Sequence, residues 1–223
     1  MTLWEIMRAQ KFARSDDLFT RLAAEKLNGG RVRRNTIIIP HGKGAFKATV
    51  DGNNIVWKYG TQEIHGNTCN FTVAEDNAQI LVSFDGILTK FASQSDGQNL
   101  LDLSDLGGKI TNSLNLYHCQ NITGDLSDLR GKITYFLSLS GCKNVTGVYS
   151  GNSYPTTVNL SSTGLTAADM DQTLINFNAG TTKSGTFTAT GMTRTAASDD
   201  AVAGLVSKGW TVTGLTKLEE AGT

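Results

Sequence analysis

An α/β solenoid is the fold class this sequence predicts. Its C-terminal half is built from short parallel strands, preceded by a small β-rich module and an N-terminal helical segment. Three observations predict it. Residues 102–124, DLSDLGGKITNSLNLYHCQNITG, recur almost intact as residues 125–147, DLSDLRGKITYFLSLSGCKNVTG, a period of 23. Residues 36–93 break into short β-prone runs separated by Gly, Asn and Asp. Residues 1–28 space their apolar side chains as a helix does. The expected boundaries are 1–35 for the helical segment, 36–95 for the β-rich module and 96–223 for the solenoid.

Composition narrows the function. Twenty basic residues balance twenty acidic ones, charged residues are 18% and hydrophobic ones 39%, with 24 Gly, 28 Thr and only 2 Pro. The hydrophobic share is too high and the net charge too small for a disordered chain. No apolar run approaches the roughly 18 residues of a membrane span, so no membrane insertion is expected. Zero net charge gives no global attraction to nucleic acid. A β-rich or repeat-built protein with a polar, weakly charged surface remains.

The helical segment comes first. Leu3, Ile6, Met7, Gln10 and Ala13 share one side, and Leu18, Leu22 and Ala23 continue the spacing beyond Ser15-Asp16-Asp17. That triplet suits the cap of a second helix ending near Gly29-Gly30. The segment lacks the apolar core and cleavage site of a secretory signal. Cys69, Cys119 and Cys142 form an odd set without metal-ligand spacing. Reduced thiols and synthesis in a cytoplasm are therefore expected. Residues 1–34 hold eight basic and four acidic side chains, so the remainder carries the compensating negative charge. Such asymmetry fits a segment docking on something acidic, or an ordinary solvated helix. Trp4, Arg8, Lys11 and Arg14 are the candidate assembly anchor, because aromatic and Arg side chains are typical interface anchors.

In the β-rich module, strands are expected at Thr36–Ile39, Ala45–Val50, Asn54–Tyr59, Cys69–Val73 and Gln79–Phe84. Asp51-Gly52 and Asp85-Gly86 are read as turns. The run Ile55-Val56-Trp57-Lys58-Tyr59-Gly60, followed by Cys69-Asn70-Phe71 and Ile80-Leu81-Val82, resembles immunoglobulin-like modules. The alternative is a set of degenerate first coils capping the open end of the solenoid.

Each long copy of the repeat carries L-x-L-x-x-C: Leu114, Leu116 and Cys119, then Leu137, Leu139 and Cys142. Alternate residues of a strand point to one side, so the two Leu fill a core, and the small soft Cys buries at the corner that follows. Fainter copies are Val158, Leu160 and Thr163; Phe187, Ala189 and Met192; and Trp210, Val212 and Leu215. Helices are expected between the last three. One follows Thr166 with Met170, Leu174, Ile175 and Phe177, stopping at Gly180. The other follows Thr195–Ser198 with Ala201, Val202 and Leu205, stopping at Gly209. The L-x-L-x-x-C pattern resembles the leucine-rich-repeat motif, and the resemblance implies parallel strands stacked coil on coil.

No catalytic set, cofactor or metal is expected. His41, His65 and His118 stand apart from one another, and His118 is expected to be structural. Gly42-Lys43-Gly44 lacks P-loop spacing. The candidate ligand-binding face is the outward column of the strands: Ser113, Asn115 and Tyr117; Phe136, Ser138 and Ser140; Thr157 and Asn159; Thr186, Thr188 and Thr190. Its hydroxyl and amide groups suit hydrogen bonding to a glycan or a peptide backbone. Tyr117 and Phe136, in neighbouring coils, are expected to form an aromatic spot against a sugar ring.

The order of a short N-terminal anchor followed by an adhesive C-terminal domain resembles that of bacteriophage tail, base-plate and head-fibre proteins. The resemblance implies a non-enzymatic virion protein, synthesised in the host cytoplasm and anchored to other virion proteins through residues 1–35, that binds a host surface glycan or protein. A homo-oligomer is compatible with it. The alternative is a bacterial cell-surface or secreted leucine-rich-repeat interaction protein.

Overall fold

A computed structural model describes residues 34–93, 97–129, 131–151 and 154–219. The expected N-terminal helices and the anchor residues Trp4, Arg8, Lys11 and Arg14 lie outside the described residues.

The first five strands are β1 (Arg34–His41), β2 (Gly44–Tyr59), β3 (Gln62–His65), β4 (Thr68–Val73) and β5 (Ala78–Ser93). β2 and β5 run antiparallel for 16 residues each, and their register slips between Asp51 and Val56. Before the slip β2 also pairs with β4, from Gly44↔Val73 to Thr49↔Thr68. After it β2 pairs with β3, from Val56↔His65 to Tyr59↔Gln62. Phe46 and Trp57 would stand about 36 Å apart on a straight strand. Their ring centroids are 6.3 Å apart, so β2 folds back at the slip as strands do at bulges. The bend encloses Phe46, Trp57, Phe71, Phe84 and Phe91, all fully buried. The indole Nε1 of Trp57 donates to the Gly66 carbonyl at 3.0 Å.

The second group comprises β6 (Ile110–Asn115), β7 (Thr123–Asp125), β8 (Phe136–Ser138), β9 (Asn144–Thr146), β10 (Thr157–Asn159), α1 (Ala167–Ala179), β11 (Gly185–Arg194), α2 (Asp199–Ser207) and β12 (Trp210–Lys217). Strands β6, β8, β10, β11 and β12 are parallel neighbours. Their core-facing residues stand in one register line: Leu114, Leu137, Val158, Phe187 and Val212. β5 pairs parallel with β6, Phe91 beside Leu114, so one ten-stranded mixed sheet runs through residues 34–217.

The predicted α/β solenoid is therefore corrected. The described residues are mostly β, with one large mixed sheet and only two α-helices. The physical reason lies on the return limbs. Asp102 Oδ1 accepts from Ser104 N at 3.0 Å, and Asp125 Oδ1 accepts from Ser127 N at 2.8 Å. These bonds close the short 3-10 turns Leu103–Leu106 and Leu126–Leu129 where a coil would otherwise carry a helix. β7 and β9 then form a separate two-stranded parallel sheet behind the main one. Asp51-Gly52 and Asp85-Gly86 are likewise bends within β2 and β5 rather than turns between strands. A Cβ on Gly52 would sit 2.8 Å from Leu88 Cδ2, which is why the bulge takes glycine there.

Residues beyond Thr163 do support helices. α1 begins with a capping box in which the Thr166 side chain accepts from Asp169 N, and the Asp169 carboxylate accepts from Thr166 N. Met170, Leu174 and Phe177 are fully buried, and Ile175 is 37% exposed on the other side. The three cysteines are buried thiols. Burial pushes the thiols of Cys69 and Cys142 up to about 12, and Cys142 donates to the Leu116 carbonyl at 3.0 Å.

An ion-pair cluster ties the last strand to the last helix. Asp199, in the first turn of α2, accepts from Lys217 Nζ and Arg194 Nη1, each at 2.6 Å. Those two hydrogen bonds hold its carboxyl below the ordinary carboxylate value. A depressed folded pKa stabilises above the unfolded value, about 4, and the effect disappears as pH falls through the folded one. Asp199→Asn should lower the thermal midpoint at neutral pH, and the difference from the parent should shrink as pH falls through and below the ordinary carboxylate range. A gap that stays constant from neutral to acid pH contradicts this.

Candidate functional site

Neighbours in register share a face of a sheet, and alternation along each strand sends every second residue to the open side. The register therefore assembles rows. The first is Ser113, Phe136, Thr157, Thr186 and Thr211. The second is Asn115, Ser138, Asn159, Thr188 and Thr213. Two residues further along, Tyr117, Ser140, Ser161 and Thr190 occupy the corners. Every candidate face residue except Tyr117, Ser140 and Thr190 thus stands in one of the first two rows, on a surface without a charged group from β6 to the Thr213 end.

The rows are not uniform. Ser138 and Ser140 are buried, and Ser161 Oγ accepts from Thr190 N at 2.9 Å. Asn115 Oδ1 accepts from Tyr117 N, and Asn159 Oδ1 from Ser161 N, each at 3.1 Å. These Asx bonds fix both amides and shape the strand ends. Thr186, Thr190, Thr211 and Thr213 are exposed, so hydroxyls open to solvent gather on β11 and β12. Ser113, Phe136, Thr157, Asn159 and Thr188 are partly exposed.

Tyr117 and Phe136 are not brought together. Phe136 stands beside Ser113 in the first row, while Tyr117 lies two rows on, about 13 Å along the strand direction. Tyr117, 46% exposed, stacks instead on His118, with ring centroids 4.0 Å apart and planes at 25°. His118 is exposed, and its φ is +59°. The same left-handed corner recurs at Gly141, Ser162, Gly191 and Gly214. At Gly141 a Cβ would lie 2.9 Å from His118 Cδ2, so the absent side chain leaves room for the imidazole.

The open face also extends past the repeats, which the sequence analysis missed. Lys90 and Ala92 of β5 pair with Ser113 and Asn115, Ala92 pairs with Thr49 of β2, and Thr49 pairs with Thr68 of β4. The alternation Lys90-Phe91-Ala92-Ser93 was the available signal. Among the described residues, no helix is long and apolar enough to cross a membrane. No family model, curated protein or solved structure matches this chain.

Proposed function

We propose that this chain is a non-enzymatic binding protein of a bacteriophage particle, attached through residues 1–35 and presenting the open face of its sheet to a host surface glycan or protein. One observation carries the binding part. The hydroxyl and amide side chains from β6 to β12 share one uncharged face in continuous register. Such a face can meet many weak hydrogen-bonding partners at once, and the lack of charge favours a neutral ligand. The exposed Tyr117–His118 stack adds an aromatic platform at one end of that face. The basic excess of residues 1–34 supports attachment to an acidic surface of another virion protein.

Mass spectrometry of purified particles tests this reading, and the chain should appear at stoichiometric copy number. Removal of residues 1–34 should abolish incorporation while the remaining chain keeps its thermal transition. Absence of the intact chain from particles, or incorporation of the truncated one, overturns it.

A further inference from the structure

We infer that the open edge of β12 pairs antiparallel with β12 of a second copy, giving a two-fold dimer whose sheet and open face run on from one chain to the other. The sheet's main strand path runs from β12 to β3, with β1 and β4 branching from β5 and β2, and the two ends of that path are treated differently. At one end β3 is only four residues long, and Glu63 accepts from Lys58 at 3.1 Å and faces His65 at 2.8 Å. Shortness and charge are the devices by which sheet edges resist pairing. At the other end β12, WTVTGLTK, is eight residues long and free of proline. Its charged residue, Lys217, is held by Asp199 at 2.6 Å. Exposed apolar side chains flank this end: Leu218, next in sequence after β12, is 44% exposed, and Val206 of α2 is 57% exposed.

Hydrogen-bond direction identifies the groups at that edge. Outward-facing residues bond the preceding strand: Thr157 N donates to Tyr135 O at 2.9 Å, and Thr186 N to Thr156 O at 2.8 Å. Core-facing residues bond the following strand: Leu139 N donates to Asn159 O, and Leu160 N to Thr188 O, each at 2.9 Å. No strand follows β12 among the described residues. The N–H and C=O of core-facing Val212 therefore point out of the edge. Two such residues facing each other across a two-fold axis exchange both hydrogen bonds, as antiparallel pairs do.

That axis sets Thr211 opposite Thr213 of the second copy. It also keeps the hydroxyl face of both chains on one side. A head-to-tail filament along this path would need β12 to meet the blunted β3 end, whereas self-pairing of β12 closes the assembly at two chains. It also doubles the binding face, so that two weak sites act together on a surface with repeated ligands.

Sedimentation velocity on the full chain should give about twice the 23.9 kDa chain mass. Val212→Pro removes the central donor at a position where an edge strand tolerates proline, and should give one chain mass. Thr211→Lys/Thr213→Lys sets like charges across the axis and should also give a monomer, whereas Thr211→Lys/Thr213→Glu sets opposite charges and should restore the dimer. These two variants alter only exposed side chains, so they decide the matter even if Val212→Pro fails to fold. A single-chain mass for the parent overturns the proposal. So does a dimer indifferent to the charge pattern, or one that disappears when residues 1–34 alone are removed.

Discussion

Leu137→Ala should destabilise the fold by about 3 kcal/mol, read as a lower denaturation midpoint with an unchanged slope. Leu137 is fully buried, lies between Leu114 and Val158 in register, and belongs to the middle of the parallel strands. Its neighbours on both sides are fixed by main-chain hydrogen bonds. They cannot close over the void, so the loss combines transfer free energy with an unfilled cavity. Leu137→Met keeps the volume and should cost less than about 1.5 kcal/mol. An alanine variant as stable as the parent would mean that this register line is not a packed column.

Asp171→Ala should cost a comparable amount, about 3 kcal/mol, for a different reason. The Asp171 carboxylate on α1 is 5% exposed and accepts four hydrogen bonds. Thr195 N reaches its two oxygens at 3.0 and 3.2 Å, and Thr195 Oγ1 and Ser198 Oγ each donate at 2.6 Å. Together they pin the 3-10 turn that starts α2 to the preceding helix. Alanine would leave the buried Ser198 hydroxyl and the part-buried Thr195 amide without this acceptor, and unmet donors cost more than a hydrogen bond contributes. Asp171→Asn keeps an acceptor but loses the charge-assisted part, and should recover about half of the loss. Equal melting of the alanine, asparagine and parent proteins would remove this account.

Much of the C-terminal architecture was legible because it rests on local, repeated chemistry. The L-x-L-x-x-C pattern places Leu114 beside Leu137, and Thr166 with Asp169 is a complete helix start written in four residues. What was not legible depends on contacts distant in sequence. Asp51-Gly52 and Asp85-Gly86 have turn composition, yet the pairing of β2 with β5 turns them into bends of continuous strands. The union of the two halves rests on Phe91 beside Leu114 and Ala92 beside Asn115, a pairing with no local mark. The helices expected between the last three copies form, whereas in the first two repeats the side chains of Asp102 and Asp125 bind main chain two residues on and close short 3-10 turns, which makes the whole a mixed sheet rather than an α/β coil.

The candidate face divides in the same way. Alternation placed its side chains on one side, but burial decides which can act. Ser138 and Ser140 are buried, whereas Thr186, Thr190, Thr211 and Thr213 remain open. The aromatic spot failed for a matter of register, since Tyr117 and Phe136 lie at opposite ends of their strands.

The most direct test of the binding face is attachment of particles carrying Thr186→Val, Thr188→Val, Thr211→Val and Thr213→Val together. Valine keeps the branched shape that suits a strand and removes only the hydroxyls. With each lost hydrogen bond worth about 0.5–1.5 kcal/mol, attachment to host cells should fall at least about tenfold. Copy number in the particle and thermal stability should be unchanged. Attachment equal to that of the parent would contradict a binding role for this face.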